Sequence, residues 1–454
     1  MSQHFRWLFF SVFVLLFFIS ASIIVIATLG FRYDWQKNTF VKTGTLSIET
    51  RPENARIFLN HKVIQAKTPV VVNNLLPGEL TLTIQKNGFY PWEKIIYIEP
   101  KKATVLQNVY LFKQGGTIQK MENVIAMDVI DTEHMLIARR KENARLETSF
   151  TILRLNFDND RMTLLTTLET KPTQLFAANE NVFIANFKQT HESWRVFQKD
   201  RDRGEVTTII QQPNLVPSVI DIKPWPEEAN VFFLQINTML WRLKLLEEQE
   251  PQTEFYAENV IAFDIHNNSI VLVTQNQNKR FFIEKNLKKD TTETFPLQQA
   301  TRIDTGTLNC STTNEYTCVL KSNTETILIE KKQTFTDATV PFEVKKAIWN
   351  FNELLLLSDF ELWTYDQTTD KYTLITRQSQ PIYDAIWHPD SGYIIIADNN
   401  GIQAIEKNSS STQQKIEISP TSVQALYPTI AREKIFFIKE ENLQALPLGE
   451  ENFL

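Results

Sequence analysis

Two segments of nearly identical sequence, NVIAMDVI at residues 123–130 and NVIAFDIH at residues 259–266, indicate a repeat. A second pair of similar segments reads KAIWNFN from Lys346 and DAIWHPD from Asp384. Related apolar segments with a polar insertion begin at Thr173, Ser218, Thr301 and Val423. From Val124 to Val423 the starts are spaced by about 43 residues, a period that indicates a repeated structural unit.

Each repeat continues with a second apolar strand, such as NVFFLQI or ELLLLSD, and then an outer hairpin, clearest in LWTYDQTTDKYTLI from Leu362. Four strands per repeat without helical periodicity are typical of a β-propeller. We predict a propeller over residues 114–454 with eight blades, and seven as the alternative. Because the last repeat, from Thr421, has three strands, we expect GTIQK at residues 116–120 to supply its fourth strand and close the ring.

Glycine is scarce, at 11 of 454 residues, although propellers need many tight turns. In the segments NFDND, IHNNS, DQTTD and ADNNG, we expect Asn, Asp, Ser and Thr to take the turn positions. Phosphate-binding glycine loops are absent from the sequence, which argues against nucleotide enzymes and leads us to expect no cofactor. A net charge of −6 gives no support to nucleic-acid binding.

The N-terminal region carries no charged residue from Trp7 to Phe31. As a helix, residues 7–29 would span about 35 Å, enough for a hydrocarbon core of about 30 Å. We predict a short tail at 1–6, a transmembrane signal-anchor helix at 7–30 and a juxtamembrane linker at 31–43. A cleaved signal peptide with a site at Ser20-Ala21-Ser22 is the alternative. We prefer the N-terminus inside and the body outside the cell, although the flanking charges alone do not favour this orientation.

Residues 44–113 contain short stretches of alternating apolar and polar residues, for example Leu80, Leu82 and Ile84, separated by turn signals. About six strands in about 70 residues predict a small β-sandwich.

This segment resembles the PEGA domain, whose Pro-Glu-Gly-Ala motif is matched here by Pro52, Glu53, Asn54 and Ala55. Asn in place of Gly is a mild departure, because Asn tolerates the left-handed conformation. Further matches are Thr68, Pro69, Pro77, Gly78, Gly88, Phe89 and Trp92. The resemblance implies an extracytoplasmic β module in a bacterial or archaeal envelope protein, with a role in surface association.

The chain has two cysteines, Cys310 and Cys318, on either side of the first turn of the fifth repeat. We predict a cross-strand disulfide outside the cytoplasm, with Cα atoms about 5.5 Å apart.

Two aspartates, Asp128 and Asp264, occupy the same position of matching first strands. They are candidates for a site facing the propeller channel, but an Asx turn at the end of the strand is the favoured interpretation. For Trp349 and Trp387, packing between blades is favoured over a stacking platform for a ligand. The loop DQTTDK from Asp366 lacks the Gly and Glu of a calcium loop, and we predict no metal site.

Hydrolase motifs such as H-E-x-x-H and G-x-S-x-G are absent from the sequence. We therefore predict a membrane-anchored extracytoplasmic protein that binds or scaffolds without catalysis, with a surface protein or a polysaccharide as its partner. The alternative is a glycan-acting hydrolase or lyase in the propeller channel, which would need two facing carboxylates and an aromatic floor.

Overall fold

The structure, a computed structural model, describes residues 3–28, 30–35, 38–130, 133–142, 148–157, 160–178, 181–188, 191–197, 207–211, 219–246, 251–277, 279–298, 306–313, 315–322, 325–331, 335–389, 392–407, 413–429 and 433–449. Nearly all of the regular structure in these residues is β-sheet, with a single helix at the N-terminus. The predicted all-β class is confirmed.

The N-terminal segment forms helix α1, which begins at Gln3 and ends at Thr28 (Gln3–Thr28). Its aromatic side chains are largely exposed, with Trp7 at 68% and Phe13 at 66%. Within the described residues, no helix combines the length and the apolar character needed to cross a membrane. Where a polar linker was predicted at 31–43, strands β1 (Phe31–Asp34) and β2 (Thr39–Lys42) form an antiparallel hairpin.

A sandwich of two sheets follows, with seven strands rather than the six predicted. The strands are β3 (Gly44–Arg51), β4 (Arg56–Leu59), β5 (Lys62–Lys67), β6 (Val70–Leu75), β7 (Gly78–Gln85), β8 (Trp92–Ile98) and β9 (Ala103–Tyr110). One sheet has the order β6-β3-β9 and the other β5-β4-β7-β8. Their inward side chains form one core because alternate residues of each strand point to the same face. We call this unit the PEGA-like module.

The ring begins after strand β10 (Ile118–Met121) and consists of four-stranded sheets in chain order. Blade one contains β11 (Val124–Val129), β12 (His134–Glu142), β13 (Thr148–Asn156) and β14 (Met162–Leu168). Blade two contains β15 (Pro172–Ala178), β16 (Asn181–Lys188), β17 (His191–Phe197) and β18 (Thr207–Gln211). Blade three contains β19 (Val219–Pro224), β20 (Val231–Ile236), β21 (Met239–Lys244) and β22 (Gln252–Ala257). Blade four contains β23 (Val260–His266), β24 (Ser269–Asn276), β25 (Lys279–Asn286) and β26 (Thr291–Pro296).

The second half of the ring repeats this plan. Blade five contains β27 (Gly306–Cys310), β28 (Thr317–Ser322), β29 (Thr326–Lys331) and β30 (Phe335–Thr339). Blade six contains β31 (Lys346–Asn350), β32 (Glu353–Leu357), β33 (Glu361–Asp366) and β34 (Lys371–Arg377). Blade seven contains β35 (Ile382–Trp387), β36 (Tyr393–Asp398), β37 (Gly401–Glu406) and β38 (Lys415–Ser419). Blade eight contains β39 (Tyr427–Thr429), β40 (Lys434–Lys439) and β41 (Asn442–Pro447).

Blade eight is completed by β10, which pairs antiparallel with β41 in the register Ile118↔Ala445. The eight predicted repeats thus correspond to eight four-stranded sheets, and the closing strand comes from the segment expected to supply it. One repeat starts later than predicted, because blade eight begins at Tyr427 instead of Val423. The predicted start of the fifth repeat, Thr301, lies outside the described residues.

In the blades whose burial is described, the second strand contributes most of the core, because it lies inside its sheet and neighbouring blades cover both of its faces. Every residue of β20 and of β36 is buried. The outermost strands β14 and β22 are mainly exposed.

The scarcity of glycine is resolved by Asn and Asp in the left-handed conformation. Asp160, Asn267 and Asp370 have φ values of 52°, 50° and 53° in three of the four turn segments identified in the sequence. In the fourth segment the positive φ, 130°, belongs to Gly401, where a Cβ would lie 2.0 Å from the Ser419 carbonyl oxygen.

Candidate functional site

The first strands of all blades run in the same direction around the ring, so their last residues meet at one end of the central channel. Asp264 lies near the end of β23 and is 9% exposed. Its Oδ1 atom accepts a hydrogen bond of 2.8 Å from the Ile265 amide, and its Oδ2 atom accepts one of 2.6 Å from the Cys310 amide of blade five. The carboxylate therefore links blade four to blade five.

Lys223 of blade three completes this link. Its Nζ atom lies 2.7 Å from Asp264 Oδ1 and 3.5 Å from Asp221 Oδ2, and it donates to the Leu308 carbonyl at 2.8 Å. Burial raises the pKa of Asp221, and the nearby Asp264 carboxylate adds to this effect while Lys223 opposes it. The Lys223 ammonium group thus partly neutralises the two neighbouring carboxylates, those of Asp221 and Asp264, and connects blades three, four and five.

Asp128 takes the matching place in blade one. Its Oδ1 atom accepts a hydrogen bond of 2.9 Å from the next amide, that of Val129, just as Asp264 does with Ile265. This local bond is the one expected for an Asx-type turn. The two aspartates lie at matching positions of β11 and β23, and Asp264 additionally joins two blades.

A second link of the same type involves Asp384, the third residue of β35 in blade seven. Lys346 of blade six lies 2.5 Å from Asp384 Oδ1, and Oδ2 accepts a hydrogen bond of 2.8 Å from the Leu426 amide of blade eight. Sequence reasoning missed this group and also missed Lys223. Charged residues in the first strands of several repeats were the sequence feature that could have revealed these links.

The two repeated tryptophans also connect blades. Trp387 Nε1 donates to the Ile348 carbonyl of blade six, and Trp349 Nε1 donates to the Asn309 carbonyl of blade five, both at 3.0 Å. Both indoles lie near the channel end that holds Asp264. Their hydrogen bonds match the packing interpretation, while their partial exposure leaves ring surface near the channel.

Cys310 and Cys318 face each other across β27 and β28 and are joined as a disulfide. Their Cα atoms are 3.9 Å apart, closer than the separation expected from the sequence. The Cys310 amide is the donor to Asp264, so the disulfide lies directly beside the carboxylate link.

A polar network lies on the same side of blades four and five. The Tyr316 hydroxyl donates to Glu284 at 2.8 Å, and Lys331 pairs with the same carboxylate. The His266 ring packs on Tyr316 with centroids 4.0 Å apart. Burial lowers the pKa of His266, although the Glu284 carboxylate acts in the opposite direction. Burial raises the pKa of Tyr316, so its hydroxyl stays protonated and available as a donor.

The PEGA-like module is attached firmly to blades seven and eight. Trp92 Nε1 donates to the Tyr393 hydroxyl at 3.1 Å, and both residues are almost fully buried. Lys94 Nζ lies 2.8 Å from Glu406 Oε1, with side chains only 9% and 16% exposed. The main chain contributes as well, because the Lys113 amide donates to the Leu448 carbonyl at 2.7 Å.

His388 lies at the centre of this contact. Its ring packs against Tyr110 and Phe112 of the module, with centroid distances of 4.3 Å and 5.6 Å. Tyr110 and Phe112 share a hydrophobic cluster with residues of blades seven and eight. Burial lowers the pKa of His388 to about 3. The module and the adjoining blades therefore have a common core rather than a loose linker.

The PEGA-type motif residues have structural roles inside the module. Ala55 is fully buried and its amide donates to Thr68 Oγ1 at 3.0 Å, while Asn54 has a φ of 64°, the left-handed value that Gly would otherwise supply. Peptide bonds preceding Pro52 and Pro69 are cis. Phe89 and Trp92 belong to the module core, and Pro77, Gly78 and Gly88 lie in its turns, with Gly78 opening β7 and Glu53 at the turn after β3.

No group of three or more His, Cys, Asp or Glu side chains suited to a metal ion occurs among the described residues.

A family model described as PEGA domain matches residues 43–111. Comparison with curated proteins gives no match. Among solved structures, the Dos1 propeller is similar with a TM-score of 0.52 and 9% identity, over 75% of this chain and 96% of that chain. Sqt1 of Saccharomyces cerevisiae has a TM-score of 0.49 and 12% identity, over 74% and 98%. Sqt1 of Chaetomium thermophilum, in a structure bound to the N-terminus of ribosomal protein L10, has a TM-score of 0.47 and 8% identity, over 75% and 100%.

At these identities the structural similarity shows the fold alone, and the likeness to the Dos1 propeller supports it. The chain thus combines a segment that matches the PEGA domain with a β-propeller fold.

Proposed function

We propose that this protein is a membrane-anchored, extracytoplasmic component of a cell envelope that binds or scaffolds a partner without catalysis. The observation that carries the proposal is the joint between the PEGA-like module and blades seven and eight. Trp92, Lys94 and Tyr110 all contact the ring, so the ring is held at a fixed place relative to the PEGA-like module. A rigid ring with broad faces is suited to contact with a surface protein or a polysaccharide.

The anchor in this proposal is α1. From Trp7 to Thr28 this helix carries no charged residue. Apolar side chains such as Phe10, Phe17 and Ile24 are more than half exposed, which is costly in water and favourable in lipid. We place the N-terminus inside and the body outside, with Tyr33 and Trp35 close to the membrane surface.

The disulfide supports an extracytoplasmic location, because such bonds persist in oxidising compartments. Peptide mapping of the protein from intact cells, with and without reduction, should show Cys310 and Cys318 linked before reduction. Free thiols in both samples would count against this part of the proposal.

The hydrogen bonds and the ion pair that occupy the Asp264 carboxylate favour binding over glycan cleavage. General acid or base catalysis requires a carboxylate that can exchange a proton with substrate. Both oxygens of Asp264 already accept bonds from blade amides, and Lys223 adds a charge contact. The glycan-acting alternative draws on Trp349 and Trp387, which lie near the same channel end as this carboxylate.

Protease shielding tests the localisation. Spheroplasts from cells that make the protein should lose the propeller when protease is added outside, while a cytoplasmic control protein stays intact. If the propeller resists until the membrane is disrupted, the extracytoplasmic assignment fails.

A further inference from the structure

A cationic cavity lies against blade one, beside the crossover from β10 to β11. It has a volume of about 520 Å³. It is lined by Asn123, by Arg139, Arg140, Lys141 and Glu142 at the end of β12, by Thr151 and Leu153 of β13 and by Leu164 of β14. None of the channel-end residues borders it, so it is separate from the Asp264 link.

The charge of this wall is opposite to that of the chain. Three cationic side chains and one carboxylate, that of Glu142, line the cavity in a protein with a net charge of −6, and Arg140 is paired with Glu441. Arg139 and Lys141 lie on the same face of β12, because alternate residues of a strand point to the same side. Packing like charges together is unfavourable unless an anion balances them. Lys141 has no ion pair within the described parts of the chain, and it is exposed.

The two arginines are oriented by contacts that leave donors for a ligand. Arg139 uses Nε to donate to the Glu122 carbonyl at 3.0 Å, which leaves its two terminal nitrogens at the cavity. Arg140 lies 2.5 Å from Glu441 through one terminal nitrogen. A guanidinium group has five N–H donors in a planar fork that fits a carboxylate or a phosphate.

The walls of the cavity are fixed by main-chain bonds across the seam. The Arg140 amide donates to the Asn123 carbonyl at 2.8 Å, and the Val124 amide donates to the Glu441 carbonyl at 2.7 Å. The donors therefore require little reorganisation on binding, which favours affinity. On the outer side Leu164, 58% exposed, adds an apolar surface.

We propose that this cavity binds an anionic group, a carboxylate or a phosphate, carried by a ligand with a small apolar portion. Arg139 forms the paired hydrogen bonds to the anion, Lys141 supplies a second positive charge, and Leu164 contacts the apolar part. The site gives the proposed binding function a location and a ligand class. It does not depend on α1 lying in a membrane, so the two ideas can fail separately.

Isothermal titration calorimetry on the full chain in neutral detergent tests the proposal, with citrate and inorganic phosphate as probes at constant ionic strength. A third arm adds phosphatidylglycerol or phosphatidylcholine to the micelles, which distinguishes a free anion from a lipid headgroup. We expect saturable binding of at least one anionic probe. The double variant Arg139→Gln/Lys141→Gln should weaken it about tenfold or more, because two charge-assisted contacts are lost.

The matched control is Lys279→Gln/Lys289→Gln, which makes the same change in net charge at exposed positions of blade four. It should bind like the unaltered protein, and both variants should keep its thermal midpoint in chloride. Binding of none of the anionic probes, or equal weakening in both double variants, would overturn the proposal.

Discussion

The ring has two contrasting boundaries. Where the PEGA-like module covers blades seven and eight, the two share an apolar cluster, and the ion pair of Lys94 with Glu406 is largely buried. At the seam between blades eight and one, the corresponding ion pair, Arg140 with Glu441, is 39% and 45% exposed beside an open cavity. The same blade architecture thus serves as a permanent joint at one place and as a solvated, charged surface at the other. The difference indicates that coverage by a second domain determines whether an ion pair at a boundary is buried or exposed to solvent.

The largest expected effect is at Trp92, which is 3% exposed and belongs both to the module core and to the joint. Replacing Trp92 by Ala should lower the free energy of unfolding by about 3–5 kcal/mol, because a large cavity is left and the bond to Tyr393 is lost. Chemical denaturation measures this change. Tyr97→Ala, on the exposed face of the same strand, is the control and should change stability by about 0.5 kcal/mol or less. Equal losses in the two variants would remove the distinction between the joint and the surface.

The buried ion pair should give the next effect. Lys94→Ala leaves the Glu406 carboxylate without its partner in a mostly buried place, and we expect a loss of about 3 kcal/mol. Lys94→Met combined with Glu406→Leu should recover most of this loss, because both charges are then removed. A double variant as unstable as the single one would show that desolvation is not the cause.

The joint should also weaken in acid. Because burial lowers the pKa of His388 from 6.5 in the unfolded chain to about 3, the unfolded state binds this proton first as the pH falls. The stability contributed by neutral His388 is present above pH 6.5 and is lost progressively down to about pH 3, with a loss on the order of 2 kcal/mol by pH 5. Denaturation between pH 7 and pH 5 measures the slope, and His388→Gln should reduce it. An unchanged slope in this variant would assign the acid sensitivity to other groups, such as His266.

The smallest effect is expected at the seam. Glu441→Gln removes the exposed partner of Arg140 and should cost about 1 kcal/mol or less at low salt. The difference from the unaltered protein should vanish in about 1 M salt, where screening is strong. Thermal unfolding at two salt concentrations measures it, and a loss as large as that of Lys94→Ala would contradict the contrast between the two boundaries.

Local patterns in the sequence were sufficient for the repeat, because each blade reuses one strand order. The positive φ of Asn267 and Asp370 could be anticipated for the same reason, since their turns carry a recognisable composition. The sequence could not predict that Lys223 pairs with Asp264 or that Trp92 bonds to Tyr393, 301 positions away. Such partners meet only after the ring has closed, and no local periodicity records them. The hairpin of β1 and β2 was missed because its four-residue strands are too short to show alternation.

The most direct measurement of the rigid joint is a distance distribution between the module and the ring. Spin labels at Val63→Cys and Lys289→Cys, both at exposed positions, would be read by double electron–electron resonance in the full chain. A single narrow distribution that broadens in the Trp92→Ala background is the expected result. A broad or two-component distribution in the chain without that substitution would show that the module moves independently of the ring, contrary to the shared core described here.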